Sequence, residues 1–415
     1  MTNLPTRADA LKLDQQDALS YKRDQFDLEE GVIYLDGNSL GPPPKKAFAD
    51  VEQTLKQDWA RGLIMSQNAA GWFLMTDTLG NQLAKLLGAS DGEIVVCDST
   101  GINLYKALHA AISMQPGRQK IVAEASSFPT DLYIMEGVVS TLDGMTIKLE
   151  GRDADDIADL VDEDTAVVVL NHVDYRSGVI RDIRALTTLA HASGALVITD
   201  VSHAAGVIPV NFHEEKVDFA IGCTYKYLNG GPGSPAFAYV ASRHHGKFRQ
   251  PVTGWFSHAE PFKFEPAYRQ ASGARALLTG TQPILSMIPV KAGLDIFEDV
   301  DIHDLFAKGK QLSALFAGLV EAWCSGYGVG FYSPKDVNLR NGQVSLTHEN
   351  GYAVVQALIE RRVIGDFRQP NVMRFGFAPL YLRYVDVWDA ANHLREVLES
   401  EQWREQRFNV QNLVT

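Results

Sequence analysis

Lys226 stands between Tyr225 and Tyr227 in the stretch CTYKYLNGGPGS (223–234), directly after the apolar run VDFAIGC. A lysine at the end of an apolar strand is expected to be buried. Burial disfavours the ammonium and leaves a neutral amine able to condense with an aldehyde. One strand earlier, ALVITDVSHAAG (195–206) brings Asp200 and His203. Further upstream, SSFPTD (126–131) supplies Phe128, Pro129, Thr130 and Asp131. DSTGIN (98–103) is a hydroxyl- and glycine-rich turn that opens a helical pattern. Its amides at Ser99, Thr100 and Gly101 suit a phosphate, because a helix N-terminus carries positive dipole. Plain capping by Asp98 or Ser99 explains the same residues. Taken singly, Asp200 is a turn residue, His203 a packed polar residue and Lys226 a surface charge. Their joint order along the chain is what such readings leave unexplained.

These residues fall at the carboxyl ends of successive strands, where open parallel sheets bind ligands. Apolar runs at 93–97, 120–125, 165–173, 195–199, 218–223 and 235–241 read as strands. Helical spacing over 100–114, 129–142 and 183–194 separates them, which predicts a mostly parallel sheet covered on both faces. Upstream, an amphipathic helix with a polar link is expected over 7–30, a short strand near 31–36, and helices over 45–61 and 74–88. After about residue 281 the pattern becomes mixed. Helices are predicted over 284–299, 303–323, 351–363 and 386–399, and strands over 343–348 and within 371–380. The predicted division is a large domain over 60–285 and a smaller α+β domain formed by 1–59 with 286–415.

A phosphate cradle, an aromatic face, a buried carboxylate and a lysine together suit pyridoxal phosphate. The lysine condenses with its aldehyde, and the carboxylate holds the proton of the ring nitrogen. No GxGxxG follows the early strands and no GxxxxGK[ST] is present, so a nucleotide loop is not expected.

Composition narrows the classes further. The chain has 415 residues, 46% hydrophobic and 21% charged, values of an ordinary globular protein. Its formal charge of −13 argues against coating nucleic acid or an anionic membrane. The first twenty residues carry no apolar core for a signal peptide, and no apolar stretch reaches the roughly 20 residues of a membrane helix. Cys97, Cys223 and Cys324 are widely separated and form no CxxC pair, which suits a reducing cytoplasm.

The segments around Asp200 and Lys226 resemble the fold-type I, class V aminotransferase superfamily of pyridoxal phosphate enzymes. Within it the chain is similar to the kynureninases, through YLDGNSLG (34–41), NAAGW (68–72), FPTDLY (128–133), TYKYLNGGPG, GWF (254–256), GTQPI (280–284), VIGDFR (363–368) and MRFGFAPLY (373–381). The resemblance implies an α/β architecture with a mostly parallel seven-stranded sheet and a smaller domain. It implies hydrolysis of L-kynurenine or 3-hydroxykynurenine to anthranilate or 3-hydroxyanthranilate and L-alanine, within tryptophan catabolism. It makes Lys226 the Schiff-base lysine, Asp200 with Asp131 the partners of the pyridine nitrogen, and Phe128 the ring stacked on the cofactor. Thr100, Gly101 and Tyr225 would meet the phosphate, and Pro129 and Thr130 belong to the same cofactor loop. His203 would lie on the phenolic-oxygen side, and Tyr225 would also protonate the β-carbon. Trp255 and Thr281 match phosphate contacts supplied by a partner subunit, which implies a homodimer. Arg374 would grip the substrate α-carboxylate with its planar fork.

The chain departs from the family in two places. DYRSG (174–178) replaces the usual NYKTG, leaving Arg176 for lysine, and Gln67 stands where relatives have an aromatic or histidine near the substrate's aryl ring. An alternative within the same fold is a cysteine desulfurase-like β-lyase, which needs a nucleophilic cysteine. A cofactor-binding protein without catalysis is a second alternative, and it would have lost the lysine or the phosphate site.

Overall fold

Six of the apolar runs form strands of one seven-stranded sheet in the computed structural model, which describes residues 4–410. Across the sheet the order is Ile94–Val96, Phe237–Val240, Phe219–Gly222, Leu196–Asp200, Thr165–Asn171, Lys120–Glu124 and Thr146–Glu150. Phe237–Val240 runs antiparallel to both neighbours, and the other pairings are parallel. Every residue of the four central strands from Phe219–Gly222 to Lys120–Glu124 is buried, as a sheet covered on both faces requires. The crossovers include helices Thr100–Ser113, Pro129–Val139 and Ile183–Ala192. Each begins where local chemistry favours it. Ser99 accepts from the amide of Ile102, Pro129 takes the first helical position, and Asp182 accepts from the amide of Ala185.

The seventh strand, Thr146–Glu150, has no counterpart among the apolar runs. It is an edge strand whose only fully buried residue is Leu149, so the continuous apolar signal is missing. Other boundaries shift for local reasons. The helix expected over 7–30 is Arg7–Gln16 followed by a tight turn at Ser20–Gln25. The helix expected over 45–61 runs from Lys45 to Gln53 and then widens into a π-helix over Thr54–Gly62. Between Asp200 and Lys226 the chain makes a four-residue helix, Phe212–Glu215.

A second, four-stranded antiparallel sheet has the order Asp366–Arg368, Val372–Gly376, Gln343–Thr347, Gly330–Phe331. Helices Ile302–Cys324 and Gly351–Glu360 pack on it, and Tyr384–Glu399 packs on those two helices. The short strand Ile33–Tyr34 pairs in parallel with Val363–Ile364, and Asp36 bridges Gly376. The following turn reaches the lysine loop, where the Gly41 amide donates to the Tyr225 carbonyl at 2.7 Å. A Cβ at Gly41 would collide with the carbonyl oxygen of Lys226 and the side chain of Asn229, so only glycine permits this approach. Among the described residues no helix is long and apolar enough to cross a membrane. All three cysteines are free and buried.

Candidate active site

The carboxyl ends of the parallel strands open into a cavity of about 790 Å³. Thr100, Gly101, Phe128, Thr130, Asp131, Asp200, His203, Tyr225, Lys226, Thr281 and Arg374 all line it. Pro129 does not line it; its part is to start the helix that carries Asp131. Trp255 also lies outside it, 40% exposed and packed edge-on against Phe256. Thr281 lines the cavity of its own chain, through the segment Gly280–Thr281–Gln282–Pro283 at the rim.

Lys226 is only partly buried, not fully buried as expected from its apolar strand, and lines the cavity. Its Nζ lies 2.7 Å from Nε2 of His203. Burial, reinforced by the charges of Lys226, Arg374 and Arg368, holds the His203 imidazole well below its usual pKa. The ring is therefore neutral and accepts at Nε2.

Asp200 ends its strand beside Ile221 of the lysine's strand, as its sequence position suggested. Asp200 Oδ1 accepts from the amide of Ser202 at 2.7 Å. Burial, then the neighbouring charge of Asp200, pushes Asp131 well above the usual carboxylate range. Two carboxyls this close in a dry site share one proton. Asp131 holds it, while Ser202 and Lys226 favour the charged form of Asp200 against its burial.

Arg374 is fully buried, and four hydrogen bonds already engage its guanidinium. Nε and Nη2 clasp the carboxylate of Asp366, Nη2 also meets Ser39 Oγ at 3.1 Å, and Nη1 donates to the Tyr175 carbonyl at 2.6 Å. A guanidinium has five N–H donors. The edge that would give a two-pronged grip on substrate is therefore occupied by Asp366. Arg368 lines the cavity beside it and bonds the same carboxylate at 2.8 Å.

Some lining residues were not singled out in the sequence. Asn171, the last residue of its strand, donates to Ser127 Oγ at 2.8 Å, while its amide is held by Glu124. Tyr175 packs edge-on against Phe128, with ring centroids 5.1 Å apart. Ser39, Ser202 and Arg368 also line the wall. Asn171 and Ser202 adjoin strand ends already read as ligand-facing, so position alone pointed to them. Ser39 and Arg368 come from distant segments, and only the family motifs YLDGNSLG and VIGDFR signalled them.

The residues fit pyridoxal phosphate. Asp131 Oδ2 and His203 Nδ1 are buried polar atoms without a partner in the protein. The first turn of helix Thr100–Ser113 opens into the cavity, at a position where Ser99 also serves as the cap.

The fold matches a cysteine desulfurase from Thermococcus onnurineus NA1 with a TM-score of 0.78 at 19% identity, over 92% of this chain and 98% of that one. It matches a C-DES variant with glycine covalently linked to its pyridoxal phosphate cofactor with a TM-score of 0.79 at 17% identity, over 90% and 99%. These likenesses show the fold, and the cavity at its strand ends carries residues that fit pyridoxal phosphate. The chain is 48% identical over 417 residues to the kynureninase of Pseudomonas fluorescens, covering 99% of this chain and 100% of that one. It is 46% identical over 419 residues to the kynureninase of Burkholderia pseudomallei (strain 1106a), with coverage of 99% and 100%. Residues 305–394 match the kynureninase C-terminal domain. The chain belongs to the kynureninase family.

Proposed function

We propose that the protein hydrolyses the Cβ–Cγ bond of L-kynurenine or 3-hydroxykynurenine, releasing anthranilate or 3-hydroxyanthranilate and L-alanine, with pyridoxal phosphate held by Lys226. The observation that carries this reading is that Lys226, the Asp131–Asp200 pair and Arg374 line one cavity. When bound, pyridoxal phosphate supplies an aldehyde for the substrate amine and a protonated ring that accepts electrons.

The chain's own groups then have separate tasks. Asp200 keeps the ring nitrogen protonated, and the proton on Asp131 lets the second acid sit beside it without repulsion. Phe128 covers the ring, and the amides at the start of helix Thr100–Ser113 hold the phosphate. Lys226 Nζ takes the substrate's α-proton, with His203 Nε2 placed to hold the amine in line. Water adds to the γ-carbonyl before the bond breaks. Cys223 and burial keep the Tyr225 phenol above its usual pKa, so its Oη retains a proton to deliver to the β-carbon. Arg374 holds the α-carboxylate through its remaining N–H, with Arg368 supplying the second contact.

A cysteine desulfurase-like reaction is less well supported. Burial pushes the thiol of Cys324 up to about 12, and it raises Cys97 and Cys223 as well. A thiol that stays protonated is a poor nucleophile.

The same reading makes the enzyme a homodimer. Leu63, Ile64, Met65, Phe262 and Phe264 are each at least 60% exposed, an apolar load fit for a partner, and the exposed Trp255, edge-on to Phe262, would be the residue that meets the partner's phosphate. A large domain over 60–285, with a small one of 1–59 and 286–415, accords with the pairing of Ile33–Tyr34 to Val363–Ile364. The three free thiols suit the cytoplasm. The test is chromatography of the products from both kynurenines. Release of an aryl acid and alanine in equal amounts supports the reading, and its absence in the cofactor-loaded enzyme rejects it.

A further inference from the structure

An acid outside the proposed reaction stands behind the arginines. Asp36 follows the strand Ile33–Tyr34 and starts a turn in which its carbonyl accepts from the amides of Ser39 at 2.9 Å and Leu40 at 3.1 Å. Ser39, from that turn, donates to Asp366 Oδ2 at 2.8 Å and accepts from Arg374. Asp36 Oδ1 is buried and receives no donor. An ionised oxygen in that position is unfavourable, whereas a protonated carboxyl tolerates it.

The charged and titratable groups around Asp36 are Tyr34 on its own strand, Asp366 and Arg368, Arg374, Tyr227 in the lysine loop, and Tyr381. Burial raises all three phenols above their usual range, so they stay neutral. Burial, then the charge of Asp366, pushes Asp36 up to about 7. Asp366 is held low against its own burial by the hydrogen bonds and charge of Arg374. The corner thus holds two guanidinium groups and two carboxyls. With one proton on the acid pair it has a net positive charge; with none it is neutral.

We propose that Asp36 is a positioning residue of the anion site: its proton, kept beside Asp366, decides whether Arg374 and Arg368 present a net positive charge to the substrate's α-carboxylate. This rests on the reading of Arg374 as the carboxylate-binding group. Below neutral pH Asp36 is uncharged and anions bind well. As pH rises past neutral, its new charge opposes them.

The test uses the cofactor-loaded enzyme and competitive inhibition by L-alanine, L-alaninamide and propionate between pH 6 and 8. The ratio of the wild-type inhibition constant to that of Asp36→Asn cancels the titration of each ligand's own amine. For L-alanine this ratio is expected to rise about tenfold over the range, the scale of one unit charge at this depth. For L-alaninamide it stays flat. A flat ratio for L-alanine, or equal rises for both ligands, overturns the proposal. If Asp36→Asn does not fold, propionate on the wild-type enzyme decides, because it has no amine. Its inhibition constant rises about tenfold if the proposal holds, and a flat profile overturns it. Arg374→Lys separates the two readings. Unchanged L-alanine affinity in that variant rejects the carboxylate role of Arg374 and this proposal with it. Weakened L-alanine binding together with a flat wild-type propionate profile rejects only the role of Asp36.

Discussion

The amine of Lys226 and Nε2 of His203 are 2.7 Å apart, and the imidazole that meets the amine is neutral. The histidine therefore receives a hydrogen bond from the lysine and steers it. His203→Leu removes the acceptor and keeps the volume. Its kcat is expected to fall about 100-fold, the usual scale for a group that serves proton transfer, with KM changed less than about threefold. Steady-state kinetics on L-kynurenine checks this. A wild-type kcat would show that the contact has no part in turnover.

Asp131 and Asp200 face each other, but only Asp200 is to be charged. Asp131→Asn keeps a neutral hydrogen-bonding group where a protonated acid stood, so turnover should stay within about threefold of wild type. Asp200→Asn removes the charge that holds the ring proton and should lower kcat at least about 100-fold. Kinetics of the two variants side by side distinguish the roles. Equal losses would mean that the proton is not on Asp131.

Gly41 touches the lysine loop through backbone atoms that cannot retreat. Gly41→Ala should cost about 1–3 kcal/mol in stability, the range for overpacking, and should weaken cofactor retention because it displaces the Lys226 backbone. Denaturant unfolding and dialysis against cofactor-free buffer measure the two effects. A variant as stable as wild type, with full cofactor content, would contradict the close approach.

Asp218 gives a stability prediction far from the reaction. It is buried; its Oδ2 meets the amide of Val197 and His191 Nε2, and its Oδ1 meets Arg243 and His244. Burial alone would raise its pKa, but the hydrogen bonds of His191 and His244 and the charge of Arg243 hold it well below the carboxylate range. A carboxyl depressed in the folded state contributes stability above its unfolded pKa, and that contribution is lost as pH falls through the folded value. Asp218→Asn should therefore cost about 3–5 kcal/mol near pH 7 and less in acid. Denaturant melts at pH 7 and below pH 4 check the sign. A loss that grows toward low pH would contradict it.

Strand order alone was enough to gather part of the cavity's lining. Asp200 and Lys226 end neighbouring strands, so apolar runs and one acid located half the cavity. Asp131 was visible for the same reason, although its proton was not. That depends on the approach of a second carboxyl, which no spacing encodes. The lysine's exposure also escaped, because an apolar strand says nothing of the opening beyond its end. Asp36 and Ser39 are brought to Asp366 and Arg374 by the pairing of Ile33–Tyr34 with Val363–Ile364 and the bridge from Asp36 to Gly376, contacts between chain segments some three hundred residues apart. The edge strand Thr146–Glu150 stayed hidden because solvent reaches most of it.

The most direct measurement compares wild-type enzyme and Lys226→Ala, each incubated with pyridoxal phosphate and L-kynurenine, by chromatographic assay of anthranilate and alanine. Wild type should form the two products in equal amounts, and Lys226→Ala should form neither above background. Anthranilate from the variant at the wild-type rate, or none from the wild type, would contradict the assignment of Lys226 and of the reaction.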